Sequence, residues 1–586
     1  MKAKNGNKSE RKSMKNGVFA VIGDFIKKDY MFLLLFLISF LAASALNFLK
    51  ISTTETVANY SLEEFEIGQI ADRTIIATRD LPPDDVDTVS IQAGEKIIKK
   101  GFAITEEGFA KLRKMSASPT YIDYRAFADS ELFLFLLGIL WYTLFSFLPF
   151  KRKVQIKEPF FQVVCFLLVY AVTAFFGKLG FFSNPYSICI IIPSALCIML
   201  TTILFGQTSA VILSLIMSLG VLCATGWELV PFLFTLGSTF CAHGIVRKID
   251  NRLDLIFAAI MLAVTNFVFI LILTVIFNGT FTDMAKIFGG VIANGFLSGA
   301  MALGFLTPLE YMLNTASVFR LMDLSDTNSP IFKQMQIQAN GTYNHSIMVS
   351  QLAESACREI GANALLARVG GYYHDIGKIE QSEYFVENQF DHENKHADLN
   401  PTLSASIIKS HVRKGVEKAH QMHLPQAVID IISEHHGNSV ISYFYKEGKE
   451  KDPTLMPEDF SYPGNPPSSK ESAVVMLADT VEAACKTLDN PTSSRLEKFI
   501  TVLINQKVEN KQLDNCDLTF RDISKIKESF VRLLTGFYHN RIKYQNQQDP
   551  DKQVPEKQAS EKQSSEKSVE KDSKEAKETK EGKDAK

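Results

Sequence analysis

Long uncharged stretches are the dominant pattern in the first half of this chain. A helix needs about 20 consecutive apolar residues to cross the roughly 30 Å hydrocarbon layer of a bilayer. Stretches of that size occupy residues 31–49, 132–150, 159–177, 229–246, 255–282 and 287–309. One further uncharged stretch, 179–227, has room for two helices and is interrupted by polar residues at 206–209. The pattern therefore predicts eight transmembrane helices.

Lysine and arginine are unevenly distributed among the segments that flank these helices. They are abundant in the first 28 residues, at 151–157 and at 247–252, whereas the short loops on the other side carry only Lys178 and Lys286. Because positive charge marks the cytoplasmic side of a membrane protein, we expect the N-terminus to be cytoplasmic. With eight crossings the C-terminus is cytoplasmic too, and residues 50–130 lie outside.

The segment between the first two predicted helices is polar and short. Strand-like runs at 73–77 and 96–100 are punctuated by Gly94 and Gly101, and Thr105 is placed to cap a helix over about 106–115. We expect a small mixed domain that serves as a sensor or as a spacer.

These patterns divide the chain into seven parts. They are a basic cytoplasmic arm (1–30), a first transmembrane helix (31–49), a small extracytoplasmic domain (50–130), a region of seven transmembrane helices (131–309), a linker (310–330), a cytoplasmic domain (331–545) and a charged tail (546–586). The tail alternates lysine with acidic residues and cannot bury a core, so we expect it to be disordered.

Composition removes several classes of protein. The 62 basic residues nearly balance the 64 acidic ones, so nothing indicates binding to a nucleic-acid polymer. None of the eight cysteines lies in the predicted outer segment, and none forms a Cys-x-x-Cys pair. A disulfide scaffold and a cysteine zinc site are therefore not expected.

Ten of the eleven histidines follow residue 340, in segments with a helical pattern. Neutral imidazole is a common metal ligand, and helices that direct His and Asp side chains inward can build a two-metal site. The adjacent pair His374 and Asp375 is framed by His345, His411, His435, His436 and Asp479. Asp479 lies in an otherwise apolar helix, where a carboxylate must be paired or bound to a metal. The set predicts a metal centre.

At these residues the chain resembles the bacterial seven-transmembrane HD phosphodiesterases of the PgpH type. The matching motifs, in order, are GTYNHS at 341–346, ARVGGYYHDIGK at 367–378, YFVENQ at 384–389, SHV at 410–412 and EHHG at 434–437. The resemblance covers the eight-helix arrangement and residues of about 325–545. Two departures are an outer segment shorter than is usual in the family and Asn340 in place of an expected proline.

The resemblance implies an all-α fold, with a polytopic helical membrane domain, a cytoplasmic all-helical HD domain and a small mixed outer segment. It implies a multi-pass protein of the bacterial cytoplasmic membrane, in contact with the lipid bilayer. Members of the family hydrolyse cyclic di-AMP with two divalent transition-metal ions, commonly manganese or iron. The first product expected is linear pApA, and the resemblance leaves open whether the chain forms a homo-oligomer.

Carried over by position, the motifs imply a ligand set for each ion. His345, His374, Asp375 and Asp479 would hold one metal, and His411, His435 and His436 would hold the other, with Asp375 bridging both. Two such cations can activate water for attack on phosphorus. Alongside His374 and Asp375, Lys378 is a catalytic candidate that would stabilise phosphate charge, although a solvated surface lysine is an equal alternative.

Three other functions are weighed against this one. A cyclic di-GMP phosphodiesterase of the HD-GYP kind carries a Gly-Tyr-Pro element after the paired histidines, where this chain has Gly437 followed by Asn438. A nucleotide receptor without turnover would be expected to lose metal ligands, and all seven are present. A transporter needs a polar pathway through the membrane, which the predicted helices hardly provide.

Overall fold

The fold is known from a computed structural model, which describes residues 30–49, 60, 62–77, 80–83, 89–118, 124–147, 154–177, 179–247, 249, 251–279, 283–389, 394–488 and 491–538. The predicted basic arm, apart from Tyr30, and the predicted charged tail lie outside the described residues. His392 and His539 lie outside them as well.

A small mixed domain follows the first long helix, α1 (Tyr30–Leu49). It contains an antiparallel pair of short strands, β1 (Ile75–Ile76) and β2 (Lys96–Ile98), and the helix α2 (Glu106–Ala117). The Thr105 hydroxyl accepts a hydrogen bond from a backbone amide in the first turn of α2 at 3.0 Å. This bond satisfies an amide that has no partner within the helix. The strands and the capped helix lie where the sequence places them.

Eight described helical segments, α1 among them, are long and apolar enough to cross a membrane, so the predicted number is confirmed. The other seven contain the helices α3 (Tyr124–Phe147), α4 (Lys157–Phe176), α5 (Ser194–Phe205), α6 (Gln207–Ala224), α7 (Leu229–Val246), α8 (Arg252–Ile276) and α9 (Met284–Leu313). A short 3₁₀ helix, Ile188–Ile190, extends the segment of α5.

Two boundaries of these helices have simple physical causes. Gly206 has a φ of +91° and separates α5 from α6, because glycine tolerates a backbone conformation that other residues avoid. The helix α3 begins at Tyr124, ahead of the apolar stretch that starts at residue 132. Its first turns include Arg125 and Asp129, since a helix can continue beyond the hydrocarbon layer once its backbone hydrogen bonds are formed.

Close packing of α8 against α9 depends on small residues. A Cβ atom added to Gly295 would lie 2.7 Å from the Cα of Ala263, and one added to Gly299 would lie 2.7 Å from the Cα of Ala259. Small residues four apart let two membrane helices approach through their backbones. The two helices therefore meet along one stripe of glycine and alanine.

The region after α9 is built of ten described α-helices and short 3₁₀ turns, which confirms the predicted all-helical domain. The α-helices are α10 (Val318–Leu324), α11 (Pro330–Gln338), α12 (Asn340–Ile360), α13 (Ala364–Tyr373), α14 (Pro401–Gln421), α15 (Gln426–Glu434), α16 (Ser442–Lys451), α17 (Lys470–Cys485), α18 (Ser493–Glu509) and α19 (Phe520–Tyr538). The helix α10 lies within the predicted linker, which the end of α9 also enters. The core surrounds α17, whose Val474, Val475, Ala478 and Val481 are fully buried.

Arg320 on α10 connects the last membrane helix to this domain. Its guanidinium donates hydrogen bonds to the backbone carbonyl of Glu310 in α9, at 3.0 Å, and to that of His423, in the turn between α14 and α15. The Tyr311 ring lies 4.3 Å from the guanidinium carbon. Arg320 thereby connects the turn between α14 and α15 to the end of α9.

Replacing Gly299 by leucine is expected to lower the thermal stability of the detergent-solubilised protein, because the added side chain meets the backbone of α8. Overpacking of this kind destabilises by about 1–3 kcal/mol. Gly304→Leu on the same helix is the control, since no described atom beyond the adjoining residues and local backbone of α9 lies within 4 Å of a Cβ added there. Equal melting temperatures for the two variants would contradict the packing described.

Candidate metal centre

Seven side chains from five helical segments converge in a buried cluster of the C-terminal domain. His345 lies on α12, His411 on α14 and Asp479 on α17. His374 and Asp375 directly follow α13, and His435 and His436 directly follow α15. These are the seven residues that the sequence predicts as ligands. The structure brings all of them together, and their ligand roles stay predictions.

The cluster consists of two groups of ligand atoms. One atom each from His345, His374 and Asp479 lie within 4.8 Å of one another, and the same holds for His411, His435 and His436. A nitrogen or oxygen ligand binds a transition metal at about 2.0–2.2 Å. Two ligands of one ion are therefore separated by about 3–4 Å. The pairs His345–Asp479, His374–Asp479 and His411–His435 have this spacing, at 3.0, 3.9 and 3.3 Å.

Asp375 lies between the two groups and offers one oxygen to each. Its Oδ2 atom is 3.2 Å from Nε2 of His374 and 3.7 Å from Nε2 of His345. Its Oδ1 atom is 3.4 Å from Nε2 of His411 and 3.7 Å from Nε2 of His435. A carboxylate in this position can contact ions in both groups.

Backbone carbonyls fix the orientation of three imidazole rings. Nδ1 of His374, His411 and His435 each lies beside the carbonyl oxygen three residues earlier, at 2.8, 2.6 and 2.7 Å. A carbonyl oxygen only accepts, so Nδ1 must carry the proton in each ring. The Nε2 lone pair of each histidine is then free to face the cluster, as in many histidine metal sites.

Several atoms in the cluster are acceptors without donors. Nε2 of His374 and Oδ1 of Asp375 are buried, and no hydrogen bond reaches either of them from the described residues. Leaving a buried acceptor unsatisfied destabilises a protein by about 1–3 kcal/mol. A divalent cation satisfies such converging lone pairs at once, so the residues present fit a metal site.

The charges of the cluster favour a cation as well. Burial lowers the pKa of His411 to about 4 and that of His435 to about 3, so both rings are neutral at pH 7, the form that binds a metal. Burial raises the pKa of the Asp375 carboxyl, but His374 and Lys378 hold it well below its usual range. The aspartate therefore stays ionised in spite of its burial.

His345 differs from the other histidines because carboxylates flank both of its ring nitrogens. Nδ1 lies 2.6 Å from Glu482 and Nε2 lies 3.0 Å from Asp479. Burial lowers the pKa of His345, but hydrogen bonds to Asp479 and Glu482 raise it to about 10. A proton therefore occupies the position between Nε2 and Asp479 that a cation would take, and metal binding there should release it.

Lys378 is held inside the site and does not extend into solvent. Its ammonium is 2.6 Å from Asp375 and 2.9 Å from Glu387, and 12% of its side chain is exposed. The alternative of a solvated surface lysine does not fit this position. Asp375 and Glu387 already neutralise the positive charge of the Lys378 ammonium. The ammonium can therefore contribute little to stabilising the charge of a phosphate.

Sequence reasoning missed three neighbours of the cluster. Glu482 contacts His345, Glu387 contacts Lys378, and the Tyr462 ring stacks on His436 with centroids 4.3 Å apart. Glu482 left a signal because it follows Asp479 by three positions and therefore shares its face of α17. Glu387 lies within the YFVENQ motif at 384–389, although its contact with Lys378 is not evident from that motif. The Tyr462 contact depends on how a loop folds back on the site.

The remaining histidines among the described residues do not join the cluster. His396 donates from Nε2 to the carbonyl of Tyr384 at 2.8 Å and packs on Phe444. His420 and His423 are exposed.

A buried cluster of five imidazoles and two carboxylates in an all-helical domain is the arrangement of a metal-dependent hydrolase. Comparison with known families agrees: residues 342–484 match the HD domain, and residues 129–317 match the 7TM receptor with intracellular HD hydrolase.

Curated relatives extend this similarity over most of the chain. The chain is 31% identical over 483 residues to the cyclic-di-AMP phosphodiesterase PgpH of Bacillus subtilis (strain 168), covering 80% of this chain and 67% of the relative. It is 30% identical over 471 residues to the protein of the same name from Listeria monocytogenes serotype 1/2a (strain 10403S), covering 79% and 65%. The chain thus spans about two thirds of the length of each. It belongs to the PgpH family of membrane-anchored HD hydrolases.

Among solved structures, the HD domain of L. monocytogenes phosphodiesterase PgpH in complex with cyclic-di-AMP is 41% identical. The match covers 37% of this chain and 100% of the solved chain, with a TM-score of 0.35.

Replacing Glu482 by alanine is expected to weaken Mn²⁺ binding, because Glu482 orients the His345 ring and accepts its Nδ1 proton. Loss of such an outer partner typically reduces metal affinity by about 10–100-fold. Calorimetric titration of the metal-stripped protein with Mn²⁺ measures the effect, and Glu497→Ala, an exposed change on α18, is the control. Equal affinities would show that Glu482 has no part in the centre.

Proposed function

We propose that this membrane protein hydrolyses cyclic di-AMP to linear pApA, using two divalent transition-metal ions, manganese or iron. The protein is an HD-superfamily hydrolase by family membership, and its two curated relatives are named for cyclic di-AMP. The observation that carries the two-metal proposal is the position of Asp375, with one carboxylate oxygen toward each group of ligand atoms.

The proposed ligand sets follow the two groups. His345, His374 and Asp479 would hold one ion, and His411, His435 and His436 the other, with Asp375 shared between them. His436 also has Nδ1 at 3.6 Å from Oδ2 of Asp479, so the two sets adjoin on a second side. The two sets therefore form one continuous centre.

When bound, the metal pair supplies an activated water and stabilises negative charge on the phosphoryl oxygens. The protein's own contribution is to hold the ligands rigidly. Backbone carbonyls fix His374, His411 and His435 in the tautomer that presents Nε2. Burial excludes bulk water from the centre, which strengthens every charge interaction within it.

We infer that Lys378 acts as a positioning residue through Asp375. Its ammonium lies 2.6 Å from Oδ2 of that carboxylate, while Glu387 holds the ammonium from the other side at 2.9 Å. This ion pair fixes the carboxylate plane and compensates its charge. Direct contact with the scissile phosphate would require the ammonium to leave both partners.

The orientation in the membrane is part of the proposal. The excess of lysine and arginine in the flanking segments supports a cytoplasmic position of both chain termini and of the HD domain in a bacterium. The small mixed domain between α1 and α3 then faces the outside. In this arrangement the metal centre is accessible to nucleotides of the cytoplasm.

Replacing Asp375 by alanine is expected to reduce hydrolysis of cyclic di-AMP by at least about a hundredfold, because the loss of the shared ligand should empty the centre. His374→Ala should act in the same direction, and both proteins should still insert into the membrane. Bound metal and turnover are measured together, with His420→Ala, an exposed histidine on α14, as the control. A third of the original turnover with unchanged metal content would refute the assignment.

The choice of adenine is tested by comparing two cyclic dinucleotides under identical Mn²⁺ conditions. We expect kcat/KM for cyclic di-AMP to exceed that for cyclic di-GMP by at least about tenfold, or about 1.4 kcal/mol. The metal centre binds only the phosphodiester, so the preference must come from groups around the base. Equal values, or a preference for guanine, would remove the cyclic di-AMP assignment and leave the phosphodiesterase.

A further inference from the structure

Lys507 on α18 is a partly buried ammonium group close to the metal centre that the mechanism above does not use. Its Nζ atom donates a hydrogen bond to the Ser439 hydroxyl at 3.2 Å. In the part of the chain that the structure describes, no carboxylate lies within ion-pair distance of Lys507. It contrasts with Lys378, whose ammonium has two carboxylate partners.

Short contacts connect this lysine to the candidate ligand His436. Ser439 follows His436 by three residues, and its amide donates to the His436 carbonyl at 3.1 Å. The Tyr462 amide donates to the Ser439 carbonyl at 3.0 Å, and the Tyr462 ring stacks on the His436 ring. Lys507, Ser439, Tyr462 and His436 therefore form one continuous wall beside the centre.

The Lys507 ammonium has unused hydrogen-bonding capacity. An ammonium offers three donors, and the Ser439 hydroxyl takes one of them. The Asp479 carboxylate is close enough to stabilise the lysine charge through space, although it makes no ion pair with it. Burying a charge with so little compensation is unfavourable.

Loading the centre with metal makes this compensation weaker still. Divalent cations would neutralise Asp479 and Asp375, so the wall would present an ammonium beside a cationic centre. An anion that contacts both relieves this repulsion, because charge-assisted hydrogen bonds from an ammonium to a phosphate are among the strongest available. The position of Lys507 thus favours a ligand that carries a second negatively charged group in addition to the one that the metals would bind.

We propose that Lys507 binds the second, non-scissile phosphodiester of a cyclic dinucleotide while the metal centre holds the first. This inference rests on the proposed function. A cyclic dinucleotide carries two phosphodiesters in one ring, so fixing the second one orients the first toward the centre. Lys507 is then a specificity residue that favours cyclic dinucleotides over substrates with a single phosphodiester.

The test compares two substrates on the full chain in detergent with Mn²⁺. Cyclic di-AMP has two phosphodiesters, whereas bis(p-nitrophenyl) phosphate has one and can report on the metal centre alone. We expect Lys507→Met to raise KM for cyclic di-AMP by about tenfold, with kcat changed less than KM and with hydrolysis of bis(p-nitrophenyl) phosphate unaffected. Lys507→Arg should restore most of the loss, and Lys498→Met, an exposed change on the same helix, is the control.

A binding measurement separates this role from catalysis. Calorimetric titration with cyclic di-AMP, with Ca²⁺ in place of Mn²⁺ to slow turnover, should show that Lys507→Met lowers the binding affinity to the same extent as it raises KM. High salt should lower the affinity of this variant for cyclic di-AMP less than it lowers the affinity of the original protein. Ser439→Ala tests the alternative that Lys507 only supports the turn after His436. It removes that support but leaves the ammonium charge, so its effect should be the smaller one.

The outcomes distinguish the two levels of the proposal. An equal loss on both substrates, or a Ser439→Ala variant that reproduces Lys507→Met, would overturn the inference in favour of a structural role. An unchanged KM for cyclic di-AMP in Lys507→Met would overturn it while the proposed function stands. An original protein that cleaves bis(p-nitrophenyl) phosphate but neither binds nor hydrolyses cyclic di-AMP would overturn both.

Discussion

The buried carboxylate of Asp375 is the group on which the arrangement of the C-terminal domain depends. It lies between two sets of imidazoles, and it remains ionised because His374 and Lys378 stabilise its charge against the effect of burial. Four Nε2 atoms surround it at 3.2 to 3.7 Å. Three of these nitrogens, those of His374, His411 and His435, present lone pairs toward a carboxylate. That arrangement is unfavourable on its own, so the surrounding fold must hold it in place until cations balance it.

The helical backbone performs that task. Three of the histidines lie on a helix or directly after one, where the carbonyl three residues earlier is within reach of Nδ1. For His374 and His435 the carbonyl belongs to the last turn of a helix, where it has no partner within the helix, so one contact satisfies the backbone and fixes the tautomer. The carbonyl beside His411 lies inside α14. The central helix α17 adds Asp479 and Glu482 from one face, with apolar residues packed on its other faces.

The membrane region and the metal centre are joined by short contacts. Arg320 bonds to the end of α9 and to the turn between α14 and α15. The helix α14 carries His411, and α15 leads directly to His435 and His436. A displacement of the last membrane helix would therefore act on the two segments that carry one whole group of candidate ligands.

The sequence alone determined the features that depend on neighbouring residues. The lengths of uncharged runs specified eight membrane helices, the glycine at 206 divided the longest run, and motif spacing selected the seven residues of the cluster. The tertiary structure alone decided the ion pairs of Lys378 and the contact of Glu482 with His345. It also decided the position of Lys507, which bonds to Ser439 and has no ion pair with any carboxylate that the structure describes. Glu482 and His345 are 137 positions apart, and Lys507 is 68 positions from Ser439. No local pattern encodes such contacts, because they arise from the way separate helices pack around α17 and bring distant side chains to one wall of the site.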